Sequence, residues 1–270
     1  MPAFILRLIV LLTLLALLGG CAHGRSIRAE HIPVASIWHP TYTDDANRFE
    51  TRGPIEIDVE TFGGDVVITT NQNNRDVSVR ISRRSVHGAG RYSEGRDALK
   101  TIEATATMVG GEIGPRLEVR TTTDHPEPYF LRADVYIEVP EVEGVRIRTR
   151  NGRVLARGVG GSIDIITDHG DVRVLTNQPI HQPVTILNNR GDIDYRVRGE
   201  STGLLDCESI GGKVRHRVRH GHLIVDRGTK HDRLFARLND GTNPVILRTV
   251  YGDIRVGVVH NPEEVTWIID

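Results

Sequence analysis

From Ile55 onward, apolar residues recur at every second position. Ile55, Ile57 and Val59 alternate with Glu56, Asp58 and Glu60, and Val77, Val79 and Ile81 alternate with Ser78 and Arg80. Val135, Ile137 and Val139 continue the habit, as do Val145 and Ile147 between Arg146 and Arg148. A strand shows its side chains to opposite faces in turn, so strict alternation predicts strands with one buried face. The one helical candidate is short, Glu94 to Lys100. From Asn151 the alternation comes in a recurring half-turn: a Gly or polar residue, any residue, then apolar-x-apolar. It starts at Gly152, Gly161, Gly170, Gln182, Gly191, Gly203, Gly212, Gly221, Asp232, Asn243, Gly252 and Glu263. Successive starts are 9 to 12 residues apart and alternate starts 18 to 21 apart.

A period of about 20 residues predicts a solenoid. An apolar-x-apolar strand buries too little surface to stand alone. Two such strands per coil, facing each other, enclose a thin core, and the next coil stacks at about 4.8 Å with parallel pairing. Glycine at each strand start permits the positive φ of a sharp corner. Asp171, Asp192 and Asp253 follow corner glycines, placed to accept backbone N–H groups. An antiparallel sandwich with turns every 8–12 residues has the same alternation, but the two interleaved columns, in phase over six coils, favour the solenoid. The expected fold is therefore all-β, with two stacked parallel sheets and about two short strands per coil. Ile163, Ile165, Val172, Val174, Ile193 and Tyr195 are expected inside, and Asp164, Arg173 and Asp194 outside.

The stretch Val135-Tyr-Ile-Glu-Val-Pro140, followed by Val145-Arg-Ile-Arg-Thr-Arg-Asn151-Gly-Arg-Val154, resembles the bacterial "putative adhesin" domains of the DUF4097 type. In those domains a strand ending in Pro leads into repeated T-x-N-G-D-V units. Thr167-Asp-His-Gly-Asp-Val172 and Thr249-Val-Tyr-Gly-Asp-Ile254 repeat the unit, and Gly63-Gly-Asp-Val66 looks like its first copy. The resemblance covers roughly residues 51–260, and its specificity lies in the number and order of degenerate motifs. It implies a β-helix-like fold, export or membrane attachment, and no established catalytic residues. Asn and His in place of Asp at some corners, and an insertion at 85–100, depart from the family pattern.

The beginning of the chain has a different character. Leu8 to Leu18 is apolar except for Thr13, and Arg7 is the only charge before Cys21. The run is too short to span a bilayer comfortably and fits the core of a secretory signal peptide. Leu18-Gly19-Gly20-Cys21 resembles the lipobox of bacterial lipoproteins, which implies a lipid on the Cys21 thiol. Ala22 in place of Asp leans toward the outer membrane under the Gram-negative sorting rule. The expected organisation is a signal peptide at 1–20, a lipidated tether at 21–50, and one domain at 51–270 with its regular coils at 151–270.

Charge adds little at the level of the whole chain. Lys+Arg number 34 against 35 Asp+Glu, a balance that gives no reason to expect nucleic-acid binding. Of the two cysteines, a lipidated Cys21 leaves Cys207 without a partner, an inward core residue by parity. No nucleophile elbow, zinc-protease motif, phosphate loop or C-x-x-C is present, and no cofactor or metal is expected. Asp192 and Asp194, two apart on one face, are the residues on which an envelope carbohydrate-active enzyme would rest. His220, His222 and His231 have the residue types for zinc, but their arginine neighbours repel a cation. Calcium is disfavoured by the irregular Asp spacing. The sharper feature is Arg215, Arg217 and Arg219, three guanidiniums on one strand face, joined in this reading by Arg196 and Arg198 of the strand before. His216, with the parity of Val214 and Val218, is expected to be a core residue. The function expected is a non-catalytic envelope scaffold or adhesin-like module, membrane-held by its lipid, with an anionic envelope polymer or another envelope protein as partner. Replacing Cys21 with Ser is expected to abolish lipid labelling and release or mis-process the protein. Full membrane retention of normally cleaved Cys21→Ser protein would contradict the lipobox.

Overall fold

The computed structural model describes residues 40–264, apart from Asp45 and Ile113. They belong to a unit spanning Ala35–Asp270; Cys21 and the expected signal peptide lie outside the described residues. The first strands are β1 (Thr41–Thr43), β2 (Asn47–Glu50), β3 (Ile55–Thr61), β4 (Val66–Thr70) and β5 (Asp76–Ser85). After helix α1 (Tyr92–Ala98) come β6 (Ile102–Gly110), β7 (Pro115–Thr123), β8 (Leu131–Val139), β9 (Val142–Asn151), β10 (Val154–Arg157), β11 (Gly160–His169) and β12 (Val172–Leu175). The rest are β13 (Val184–Arg190), β14 (Ile193–Val197), β15 (Gly203–Ser209), β16 (Val214–Val218), β17 (Leu223–Val225), β18 (Arg233–Leu238), β19 (Pro244–Tyr251) and β20 (Ile254–Val258).

The strands form two sheets. The first runs β1-β5-β8-β4-β10-β12-β14-β20-β16, with β2 also on β5; the second runs β17-β18-β15-β19-β13-β11-β9-β3-β7-β6. Each coil gives one strand to each sheet, and coil neighbours pair in parallel. The solenoid is therefore real, with a core of apolar rungs. In the second sheet Val119, Val59, Ile147, Ile165, Ile186, Leu247 and Cys207 stand in register. All are buried completely, each larger side chain contributing roughly 1.5–3 kcal/mol relative to exposure.

Coil order in space is not chain order, which corrects the simple six-coil repeat. β3–β4 lies between β7–β8 and β9–β10, so the regular coils begin well before residue 151. β19–β20 lies between β13–β14 and β15–β16. The Asp232 half-turn, expected in the column of Gly212 and Gly252, forms β18 in the other sheet, antiparallel to β15, and β17 is antiparallel to β18. The chain runs past a gap, turns back through this hairpin and then fills the gap. At the opposite end β5 and β6 are also antiparallel, to β8 and β7. Here the insertion packs Ala98 and Leu99 into the core, with the helix two residues earlier than expected. β1 and β2 pair with β5, so the folded part includes the end of the stretch read as a tether.

The T-x-x-G-D-apolar unit is a corner in which each residue type serves the neighbouring coil. Thr121, Thr61, Thr149, Thr167, Asn188, Thr249 and Ser209 form one register row, all buried. From this row Asn188 Nδ2 donates to the Gly170 carbonyl at 2.9 Å, Thr249 Oγ1 to Gly191 at 3.0 Å and Ser209 Oγ to Gly252 at 2.6 Å. The glycines stack on one another. A Cβ on Gly170 (φ +128°) would lie 2.0 Å from the Gly152 carbonyl oxygen, and one on Gly252 (φ +155°) 2.1 Å from that of Gly191. The aspartates do accept backbone N–H groups: Asp171 Oδ1 from Asp192 at 3.0 Å, Asp192 Oδ1 from Asp253 at 2.8 Å and Asp253 Oδ1 from Lys213 at 2.9 Å.

Parity holds for the six residues expected inside, all buried. Asp194, expected outside, does alternate away from the core, yet only 4% of it is exposed. Its carboxylate takes Arg196 Nε at 2.8 Å and Nη2 at 2.6 Å, a charge-assisted fork that offsets its desolvation. Gly170→Ala is expected to cost about 3 kcal/mol or more, by clash with backbone and forced positive φ. Gly88→Ala, with nothing within 4 Å of the new Cβ, is the control expected to stay within about 0.5 kcal/mol. Chemical denaturation of the two variants checks both.

Candidate functional site

The basic tract lies at the end of the solenoid reached by β15–β16. The first sheet stops at β16, whereas the second continues through β18 and β17. In the first sheet, Ile137, Ile68, Ala156, Val174, Tyr195, Val256 and His216 occupy one inward rung. His216 thus has the inward parity the sequence indicates, but it is exposed. An edge strand has a neighbour on one side only, so the core reading of His216 is corrected. Cys207, on β15 of the same coil but in the second sheet, is fully buried, and burial pushes its thiol up to about 12.

Arg215 and Arg217 project from the outer face of β16, and Arg219 follows directly. Arg215 is half exposed, its closest carboxylate being Asp253 at 3.8 Å. For Arg217 and Arg219 no carboxylate lies within salt-bridge distance among the described residues. The contrast is the outer face of the second sheet. There arginines are held by carboxylates of their own or neighbouring coils: Arg116 by Glu56 at 2.6 Å, Arg120 by Asp58 at 3.1 Å and Arg248 by Asp206 at 2.6 Å. Each such exposed pair contributes only about 0–1 kcal/mol, but it fixes where the positive charge is already neutralised.

Arg196 and Arg198 do not extend the row. β20 separates β14 from β16, Arg196 is buried against Asp194, and Arg198 is paired with Glu200 at 2.9 Å. Arg255 takes the intervening place beside Arg215, its Nη1 3.1 Å from Asp192. These contacts also bear on the proposed acid–base pair. Asp192 accepts from Asp253 N–H and Arg255, and Asp194 is buried in its pair with Arg196.

His220, His222 and His231 are all exposed, and they do not converge into a ligand cluster. A cluster of that kind exists elsewhere: donor atoms of His87, Glu94 and Glu127 lie within 4.8 Å of one another. Sequence reading missed it because the residues come from β5's end, α1 and the loop before β8, with no motif spacing. Arg91 donates to both glutamates, to Glu127 at 2.7 Å, and holds both carboxylates below the usual range. His87 is stacked on Phe130 with ring centroids 4.6 Å apart, and desolvation lowers its pKa. With a guanidinium already between the carboxylates, the group works as an ion cluster anchoring the insertion to the end of the first sheet. Among the described residues, no helix is long and apolar enough to cross a membrane.

Comparison with known proteins adds to this geometry. A crystal structure of a "putative cell adhesion protein" from Clostridium sporogenes aligns at TM-score 0.56 and 12% identity, covering 82% of this chain and 100% of that one. A "putative adhesin" from Bacteroides fragilis aligns at TM-score 0.34 and 13% identity, over 82% of this chain and 97% of that one. No curated protein matches. The family model described as Toastrack DUF4097 matches residues 131–257, a span that holds the corner glycines Gly152, Gly170, Gly191, Gly212 and Gly252. Across those residues the chain is similar to the Toastrack DUF4097 family.

Proposed function

We propose that this protein is a non-catalytic, adhesin-like module of the cell envelope, held to a membrane by a lipid on Cys21 and binding an anionic partner through Arg215, Arg217 and Arg219. The observation that carries the binding reading is the open, basic end of the solenoid, where Arg215 has only a 3.8 Å contact with Asp253 and Arg217 and Arg219 have no carboxylate partner among the described residues, unlike the closely paired arginines of the second sheet. Planar guanidiniums in a row suit a polymer that repeats carboxylate, sulfate or phosphate groups. One exposed charge contributes little, so affinity rests on several contacts made together. Charge from Lys213, Arg227 and Lys230, all exposed nearby in the chain, adds to the local field. The adhesion names of the aligned structures accord with a surface role, and the commitment of Asp192 and Asp194 to arginines supports the absence of catalysis.

The test titrates the full chain, purified in detergent, with polyglutamate and with a sulfated glycan at low and moderate salt. Binding is expected, weakening steeply with salt because exposed charges are screened over about 8 Å at physiological ionic strength. The Arg215→Ser/Arg217→Ser/Arg219→Ser variant is expected to lose at least tenfold in affinity. Equal affinity in variant and parent, or no binding by either, would contradict the reading.

A further inference from the structure

We infer that β16 is a docking edge for an extended acidic polypeptide segment, which adds to the first sheet as its next strand. The inference rests on the binding reading above and names its partner.

Backbone directions come from the hydrogen bonds at the two ends of β16. Ile254 N–H donates to Lys213 O, and Arg219 N–H donates to Val258 O, so residues 213 and 219 face β20. Val214 N–H donates instead to His231 O at 2.8 Å, away from β20. N–H and C=O alternate sides along a strand, so His216 and Val218 turn both groups outward, where β16 has no strand neighbour among the described residues. His231 shows that a backbone approaching from this side pairs with the edge, and its contact ends before His216.

The second sheet supplies a floor. Leu223 and Val225 are in register with Leu238 and Ala236 of β18, which are buried inward residues, so they share the inward side. Leu223 is only partly covered, and Val225 is 43% exposed. At the opposite end the corresponding space is closed by β5, β1 and the insertion that buries Ala98 and Leu99. The basic end is the one whose first sheet is two strands shorter than its second.

Charge selects the occupant. A strand added beside β16 places alternate side chains beside His216 and Val218 over the apolar floor, and the others beside Arg215 and Arg217. Apolar residues suit the first set and carboxylates the second, the pattern of an alternating acidic–apolar strand. Backbone pairing supplies affinity and the alternate pockets supply specificity, as in other cases of strand addition. A second copy of this chain fits worse, because β16 against β16 juxtaposes two rows of arginine. The arginines on this edge are thus also what keeps it from pairing with itself.

The experiment uses the full chain in detergent and the peptide acetyl-Glu-Val-Glu-Val-Glu-Val-Glu-amide. Its partner is the same peptide N-methylated at every backbone amide, which keeps charge and side chains but cannot donate to a sheet. The unmodified peptide is expected to bind at least tenfold tighter, and to slow hydrogen exchange at the His216 and Val218 amides at least tenfold. Arg215→Glu/Arg217→Glu is expected to lose that peptide and bind the Lys-Val counterpart. Equal binding of both peptides without amide protection would overturn strand addition while leaving simple anion binding intact. Loss of all anion binding would remove the underlying reading as well. Concentration-dependent self-association that protects the same two amides without peptide would assign the edge to a second copy and overturn the inference.

Discussion

The solenoid depends on how closely two backbones approach at the corner. Consecutive coils stack with one corner glycine over another, and the Cβ direction of each is filled by the carbonyl of the next. A methyl group on Gly152 would lie 1.9 Å from the Gly64 oxygen, and one on Gly191 2.3 Å from that of Gly170. Side chains are excluded from the column for a reason independent of hydrophobicity. The first coil shows the rule by exception. Ala133 stands beneath Gly64, and beyond β8 comes antiparallel β5, not another corner. Around the column, buried hydroxyls and amides satisfy the crowded carbonyls, and carboxylates satisfy the next coil's N–H groups. Polar groups taken from water are thereby paired at the Gly170, Gly191 and Gly252 corners, whereas the buried Thr149 Oγ1 has no partner among the described residues.

The same corner chemistry explains how the chain tolerates coils out of sequence. Gly252 stacks on Gly191, and Gly212 on Gly252, although forty residues separate that last pair. Asp192 and Asp253 hand their acceptor bonds along the same spatial order. A corner is a local unit that any matching corner extends, so spatial neighbours need only equal register, not adjacency in the chain. Placing a late segment between earlier ones ties each end of the stack to a distant part of the sequence. The antiparallel strands then protect the ends unequally, because the first sheet receives no cap at β16.

Much of this was legible from residue types. Period-two alternation identified the strands, the glycine spacing identified the coils, and the position of Asp171, Asp192 and Asp253 identified their acceptor role. The family motif at Gly63–Val66 was a true corner. What alternation does not encode is which coil lies beside which. All corner units are alike, so Gly252 reads as the successor of Asp232 at the end of the column when it lies between Gly191 and Gly212. From that ambiguity came two errors: the Asp232 half-turn placed in the wrong sheet, and Arg196 and Arg198 placed in the arginine row. His216 failed for a related reason, since parity gives the side of a sheet but not whether the strand lies at its edge. The burial of Asp194 depended on Arg196 two residues on, a pairing visible only with both side chains placed.

Everything at the basic end follows from β19–β20 occupying the position between β13–β14 and β15–β16. Methyl-labelled nuclear magnetic resonance tests it directly, since coils one step apart lie about 4.8 Å from each other and coils two steps apart about twice that. Val184, Val245 and Leu205 share one inward rung. Methyl cross-peaks are expected between Val184 and Val245 and between Val245 and Leu205, with none between Val184 and Leu205. A strong Val184–Leu205 cross-peak, with Val245 remote from one of them, would mean that the coils stack in chain order and would overturn the intercalated arrangement.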